Sequence, residues 1–171
     1  MSHPLHKRVG SSISLLNSER TKVLLDNACC ENLEDIEVHN ISLFFNEKSN
    51  SSKLCNVDAL ILHDEKVKII IEIDESNSSP NNIFGKFLTS AFSNLYQYND
   101  KKISIPEKSV LFIQVVETSK YPLNSKRAAK LRLIEKRIQQ KQIGIIKEYA
   151  LLTDNEITQL NSFIVKFIEE N

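Results

Sequence analysis

Residues 67–74 read VKIIIEID, and this run constrains the fold more than any other in the chain. Five of its first seven residues are β-branched and apolar, the composition of a strand in the middle of a sheet. Glu72 and Asp74 close the run two residues apart, and hence on one face of the strand. Burying one unpaired charge is costly, and burying two like charges side by side costs more unless a cation or a shared proton intervenes. Either the strand ends there and its acids point into water, or something positive meets them. A metal ion is the cation this pattern suggests.

The periodicities around that run set the order of elements. Residues from about 9 to 30 have helical character, with Ile13, Leu16, Val23 and Leu24 as inner positions. Three strand-like runs follow: IEVHNISLFF (36–45), LCNVDALIL (54–62) and VKIIIEID (67–74). HDEK joins the last two and suits a hairpin. Asn81 or Asn82 then caps a helix in which Phe84, Phe87, Leu88, Ala91 and Leu95 form one apolar stripe. SVLFIQVVE (109–117) is apolar enough to be a central strand, and a helix is expected over 124–141. GIIKEYALL (144–152) reads as a strand, before a final helix with Ile157, Leu160, Ile164 and Phe167 inward. The expected class is α/β with a mixed sheet: an αβββαβ core, an αβα extension, and helices on both faces.

Size and composition bound the rest. A chain of 171 residues suits one domain over 1–171, and its 22 basic residues balance 22 acidic ones. No global field therefore points to nucleic acid or membrane, and such a partner must be met by a local patch. Cys29, Cys30 and Cys55 lack C-x-x-C spacing, which fits buried thiols in a reducing compartment rather than a disulfide framework or zinc site. MSHPLHKRVGSS has no apolar h-region, and no stretch of apolar residues is long enough for a membrane span. The expectation is a cytoplasmic protein. Glycine is scarce, with no G-x-G-x-x-G or G-K-S/T loop to cradle phosphates.

Asp58 precedes Glu72 by fourteen residues, about what two paired strands and a tight turn use. In a hairpin centred on His63 to Lys66, Asp58 lies near the strand end that carries Glu72 and Asp74. Three carboxylates converging there would suit Mg²⁺, which takes one or two protein carboxylates with water and substrate phosphate. NVDALIL, a short turn and IIIEID, after an N-terminal helix and before a helix and an apolar strand, resemble the PD-(D/E)xK nuclease superfamily. The resemblance covers roughly residues 9–118 and implies a restriction-endonuclease-like αβββαβ core. It implies a metal-dependent DNA endonuclease that hydrolyses phosphodiester bonds with Mg²⁺ (or Mn²⁺). Asp58 matches the first motif acid and Glu72 the acid of (D/E)-x-K, while Asp74 stands where the lysine is usual. All three are expected at the catalytic and metal centre.

The resemblance also implies where further site residues can lie. In some members the lysine has moved to the following helix, which makes Lys86 the counterpart here. At 100° per residue, however, Lys86 falls nearly opposite the Phe84/Ala91/Leu95 stripe and is expected in solvent. Glu19 corresponds to the helical acid that some members add to the metal shell, or is a solvated helix charge. Gln114, in the fourth strand, either reaches the site or is a buried glutamine bonded to backbone.

Helix 124–141 is strongly basic, and Lys126, Lys130, Arg137 and Lys141 fall along one flank. Such a stripe can follow a DNA backbone and release counterions, or simply be a solvated face. Cutting both strands of a duplex with so small a chain implies a two-fold homodimer. A second reading keeps the fold and drops the chemistry: a catalytically degenerate module that binds DNA or a protein partner.

Overall fold

A computed structural model describes residues 3–30, 33, 37–75, 79–120, 122 and 124–171. Its elements run α1 (Pro4–Ser14), β1 (Thr21–Leu25), α2 (Asn27–Cys30), β2 (Ser42–Phe44), β3 (Lys53–Asn56), β4 (Ala59–His63) and β5 (Lys66–Asp74). They continue with α3 (Pro80–Ala91), β6 (Leu95–Tyr98), β7 (Lys101–Ser104), β8 (Val110–Val116), α4 (Lys126–Gln139), β9 (Ile146–Thr153) and α5 (Ile157–Glu170). The class is mixed α/β, as expected.

VKIIIEID is the middle of a five-stranded sheet ordered β1-β4-β5-β8-β9. β1 and β4 are antiparallel, as are β4 and β5, whereas β5, β8 and β9 run parallel. The expected hairpin is present, with Ala59 opposite Ile71 and His63 opposite Lys66. Its turn residues Asp64 and Glu65 both take positive φ, 47° and 62°, which short hairpin loops require. The crossovers between parallel strands carry the helices, as a parallel pairing demands.

Alternate residues of β5 serve two different cores. Ile69, Ile71 and Ile73 join Leu111, Ile113 and Val115 beneath α1 and α5, where Val9, Ile13, Leu160 and Ile164 cover them. Ile70 joins Phe112 and Tyr149 beneath α3 and α4, against Phe87 and Leu131. Each such isoleucine contributes roughly 1.5–3 kcal/mol by leaving water. Glu72 and Asp74 share the face of Ile70, so they point at the α3 layer. β2, β3, β6 and β7 form a second, antiparallel sheet ordered β3-β2-β6-β7.

Several expected elements are corrected. Residues 9–30 are not one helix: α1 stops at Ser14 and β1 follows. The polar segment between them ends the helix, because Ser18 Oγ accepts the Thr21 N–H and Asn17 Oδ1 accepts the Val23 N–H. β1 then supplies the first strand of the central meander, a place expected for 36–45. Of that run, 42–44 form β2 in the second sheet and Val38 makes a lone bridge to Leu25; residue 36 lies outside the described residues. LCNVDALIL is two strands, since the chain changes sheets at Val57 and Asp58.

The helix expected to reach Leu95 ends at Ala91, capped at its start by Ser79 Oγ rather than Asn81 or Asn82. Leu95 begins the hairpin of β6 and β7, whose turn holds Asn99 at φ 48°. The C-terminal order α4-β9-α5 agrees with expectation, and β9 extends the central sheet beside β8. No described helix is long and apolar enough to cross a membrane.

Candidate active site

Asp58 sits at the break between β3 and β4, where the chain turns into the central sheet. The pairing of β4 with β5 ends with Ala59 opposite Ile71, and an acceptor for the Ile73 N–H must be supplied beyond it. The Asp58 side chain takes that role: its Oδ2 accepts the Ile73 N–H at 2.7 Å. The carboxylate is thereby fixed at the end of the hairpin beside Glu72.

Glu72 is fully buried and Asp74 is 4 % exposed, so neither acid ends in water. The cation that meets Glu72 is Lys86 of α3. Its Nζ lies 2.8 Å from Glu72 Oε2 and 4.0 Å from Asp58 Oδ2. Lys86 is exposed along its length, as its helical angle implies, yet its ammonium turns back onto the buried carboxylates. The buried positions of α3 are Ile83, Phe84, Phe87, Ser90 and Ala91, while Leu88 is exposed. Including Ile83 and Ser90 rotates the inner face toward position 86, three residues from one and four from the other.

Burial pushes the Glu72 carboxyl up to about 8, and the neighbouring Asp58 charge adds to this while Lys86 opposes it. Burial likewise raises Asp58, against the pull of Lys86, the Ile73 N–H and His6. For Lys86, burial acts to lower the ammonium, but the charges of Glu72, Asp58 and Asp74 outweigh it and the net shift is upward. The cluster thus behaves as one unit in which two carboxylates share a cation.

Gln114 lies opposite Glu72 across the parallel β5–β8 pair. Its Nε2 donates to the Glu72 backbone carbonyl at 3.4 Å, and its Oε1 is buried without a hydrogen bond among the described residues. It therefore reaches the site's backbone, in keeping with the second reading of that residue. Glu19 does not join the site. It is exposed and sits just before β1, beside the Asp64–Glu65 turn at the other end of the hairpin.

Two residues that the sequence reading passed over lie at the same sheet end. His6, on α1, places Nε2 3.8 Å from Asp58 Oδ2. Glu75, just after β5, accepts the His6 backbone N–H at 2.8 Å. The signal in the chain was HPLH, two histidines three apart around a proline that opens a helix.

Glu72 Oε1 has no hydrogen-bond donor among the described residues. With Asp58 it forms a two-carboxylate set at a place already occupied by positive charge. That donor chemistry fits Mg²⁺ or Mn²⁺, which need only one or two protein carboxylates. Asp74 does not complete a compact triad: among the described residues the group of three His, Cys, Asp or Glu donors within 4.8 Å of one another is His3, His6 and Glu75.

The helix expected over 124–141 is α4, Lys126–Gln139; Lys126, Lys130 and Arg137 on it are exposed, as is Lys141 just beyond its end. α4 leaves the carboxylate end of β8 and returns to the start of β9, because Val110 pairs with Ile146 at the opposite end. Lys126 and Lys130 accordingly lie toward the Glu72 end of the sheet, and Arg137 and Lys141 toward the other. Comparison of the sequence with protein-family models and curated proteins, and of the structure with solved structures, found no match.

Proposed function

We propose that this chain is a metal-dependent DNA endonuclease with a restriction-endonuclease-like core. The observation that carries the reading is the position of Lys86, 2.8 Å from Glu72 and 4.0 Å from Asp58. A lysine delivered from the helix after the hairpin answers the absence of lysine at position 74. The central sheet supports it as well: with α2 and the strands of the second sheet set aside, α1, the antiparallel strands β1, β4 and β5, then α3 and the parallel strand β8 follow the order expected of such a core.

Asp58 and Glu72 would hold Mg²⁺ or Mn²⁺, with Asp74 behind them contributing negative potential. When bound, such an ion polarises a phosphodiester and lowers the pKa of an attacking water. Lys86 neutralises the carboxylates, and its side chain, 45 % exposed, is the one that can also face a phosphate oxygen or that water. The Ile73 N–H holds the Asp58 carboxylate in place through the cycle. Lys126 and Lys130 would guide the DNA backbone toward this end of the sheet. Cutting of both duplex strands would call for a two-fold dimer.

One observation favours the second reading, a degenerate module that binds DNA or a protein. Lys86 already stands against Glu72, and burial holds that carboxyl protonated up to about pH 8, so the buried acid needs no ion. Incubation of plasmid and branched DNA with the protein in Mg²⁺, Mn²⁺ or EDTA separates the two. Metal-dependent cleavage absent from Glu72→Ala supports the nuclease; DNA binding without cleavage supports the module.

A further inference from the structure

We propose that His3, His6 and Glu75 form a site for a divalent transition-metal ion of the zinc class, distinct from the Asp58–Glu72 pair. Each residue offers one donor atom, and the three atoms lie within 4.8 Å of one another. His3 and His6 flank Pro4, the first residue of α1, and their spacing of three sets both rings on one side of the helix start. The rings meet edge to face, with centroids 5.3 Å apart.

Glu75 arrives from the end of β5 and is locked to this helix start. Its Oε1 accepts the His6 N–H at 2.8 Å, at a terminus where the N-cap residue His3 gives no side-chain cap. Its Oε2 lies 3.4 Å from His3 Nδ1, and its Oε1 lies 3.4 Å from His6 Nδ1. The second contact lacks the alignment of a hydrogen bond, so His6 Nδ1 is buried without a partner among the described residues. His6 is only 9 % exposed. A buried ring nitrogen left without a hydrogen bond costs roughly 1–3 kcal/mol, and this one stands beside the Glu75 carboxylate on a ring that meets the His3 imidazole.

The donor set defines the ion. Two imidazole nitrogens and one carboxylate suit Zn²⁺ or Co²⁺ with a fourth position open to water, whereas Mg²⁺ prefers the all-oxygen pair at Asp58 and Glu72. Bonds of about 2.0 Å in a tetrahedron set donors roughly 3.3 Å apart. The half-exposed His3 ring supplies the small closure required. A bound ion would tie α1 to the end of β5 and fix the ring of His6, whose Nε2 faces Asp58 at 3.8 Å. The inference does not depend on the nuclease reading.

The test uses the full chain without an affinity tag, titrated with Co²⁺ alone and followed by its visible d–d bands, then with Zn²⁺ in competition. One equivalent of Co²⁺ is expected, displaced by Zn²⁺. His3→Ala and Glu75→Gln should each weaken Co²⁺ binding roughly 10–100-fold, while Glu72→Gln leaves it unchanged. Glu75→Gln keeps an acceptor for the His6 N–H, and His3 is not a core residue, so neither change tests folding instead. Absence of binding overturns the proposal. So does affinity that survives either of those variants, or affinity lost only with Glu72→Gln, which would assign the ion to the other carboxylates.

Discussion

The Lys86 ammonium stands 2.8 Å from Oε2 of Glu72, a carboxylate with no exposed surface. This contact explains how a central strand tolerates an acid among isoleucines. The charge is met from the neighbouring helix rather than from solvent, and it remains sensitive to pH and to mutation.

The first consequence concerns pH. Burial pushes the Glu72 carboxyl up to about 8 in the folded protein, from an ordinary 4.5. Between those values the folded state holds a proton that the unfolded state has lost, so stability falls as pH rises through the window. The slope from this group is at most about 1.4 kcal/mol per pH unit. Urea unfolding of the metal-free protein at pH 5.5 and 7.5 should show lower stability at the higher pH. In Glu72→Gln the difference should shrink; an equal slope in the variant would place the proton elsewhere.

Removing the cation should expose the same coupling. Lys86→Met leaves Asp58 and Glu72 without their shared partner, a change that costs 3–5 kcal/mol for a fully buried pair. Lys86 is partly in water, so a loss of about 1–2 kcal/mol is expected at pH 8. At pH 6 Glu72 is already protonated in both proteins, so the loss should be smaller. Adding Glu72→Gln to Lys86→Met should recover most of it, as a double-mutant cycle by chemical denaturation would reveal.

Divalent binding at the carboxylates has its own signature. Millimolar Mg²⁺ or Mn²⁺ should raise the melting temperature of the wild type through preferential binding to the folded state. Asp58→Asn and Glu72→Gln should remove that rise, while the metal-free variants melt at the same temperature as wild type or higher. Equal rises in all three proteins would mean the ion binds elsewhere.

The hairpin, the acids and the parallel strand β8 were legible because each rests on local pattern: a β-branched run, a polar turn and alternation. Four things were not. β1 was hidden in a stretch whose apolar spacing also fits a helix, and only pairing with β4 decides between them. The break at Val57–Asp58 is a change of sheet inside an unbroken strand-like run, set by the Val57 N–H bonding to Ile41 rather than by propensity. The apolar residues of α3 taken alone set position 86 opposite the core. Ser90, buried yet polar, turned the inner face toward it. His6 and Glu75 meet across 69 positions of sequence, which no periodicity records.

The basic helix divides by position. Lys126→Ala with Lys130→Ala, at the carboxylate end, should weaken DNA binding across sequences and reduce the salt slope by roughly 2. Arg137→Ala with Lys141→Ala, at the far end, should do less. Fluorescence anisotropy at several salt concentrations measures both, and indistinguishable pairs would remove the assigned polarity.

The central claim is that Lys86 works with Asp58 and Glu72 on a phosphodiester, and single-turnover cleavage of DNA in Mg²⁺ tests it most directly. Lys86→Ala should cut at least about 10²-fold more slowly than wild type, the scale of losing one group that stabilises transition-state charge, while DNA affinity changes little. Wild-type protein that binds DNA but never cuts it, or a Lys86→Ala variant that cuts at the wild-type rate, would contradict the claim.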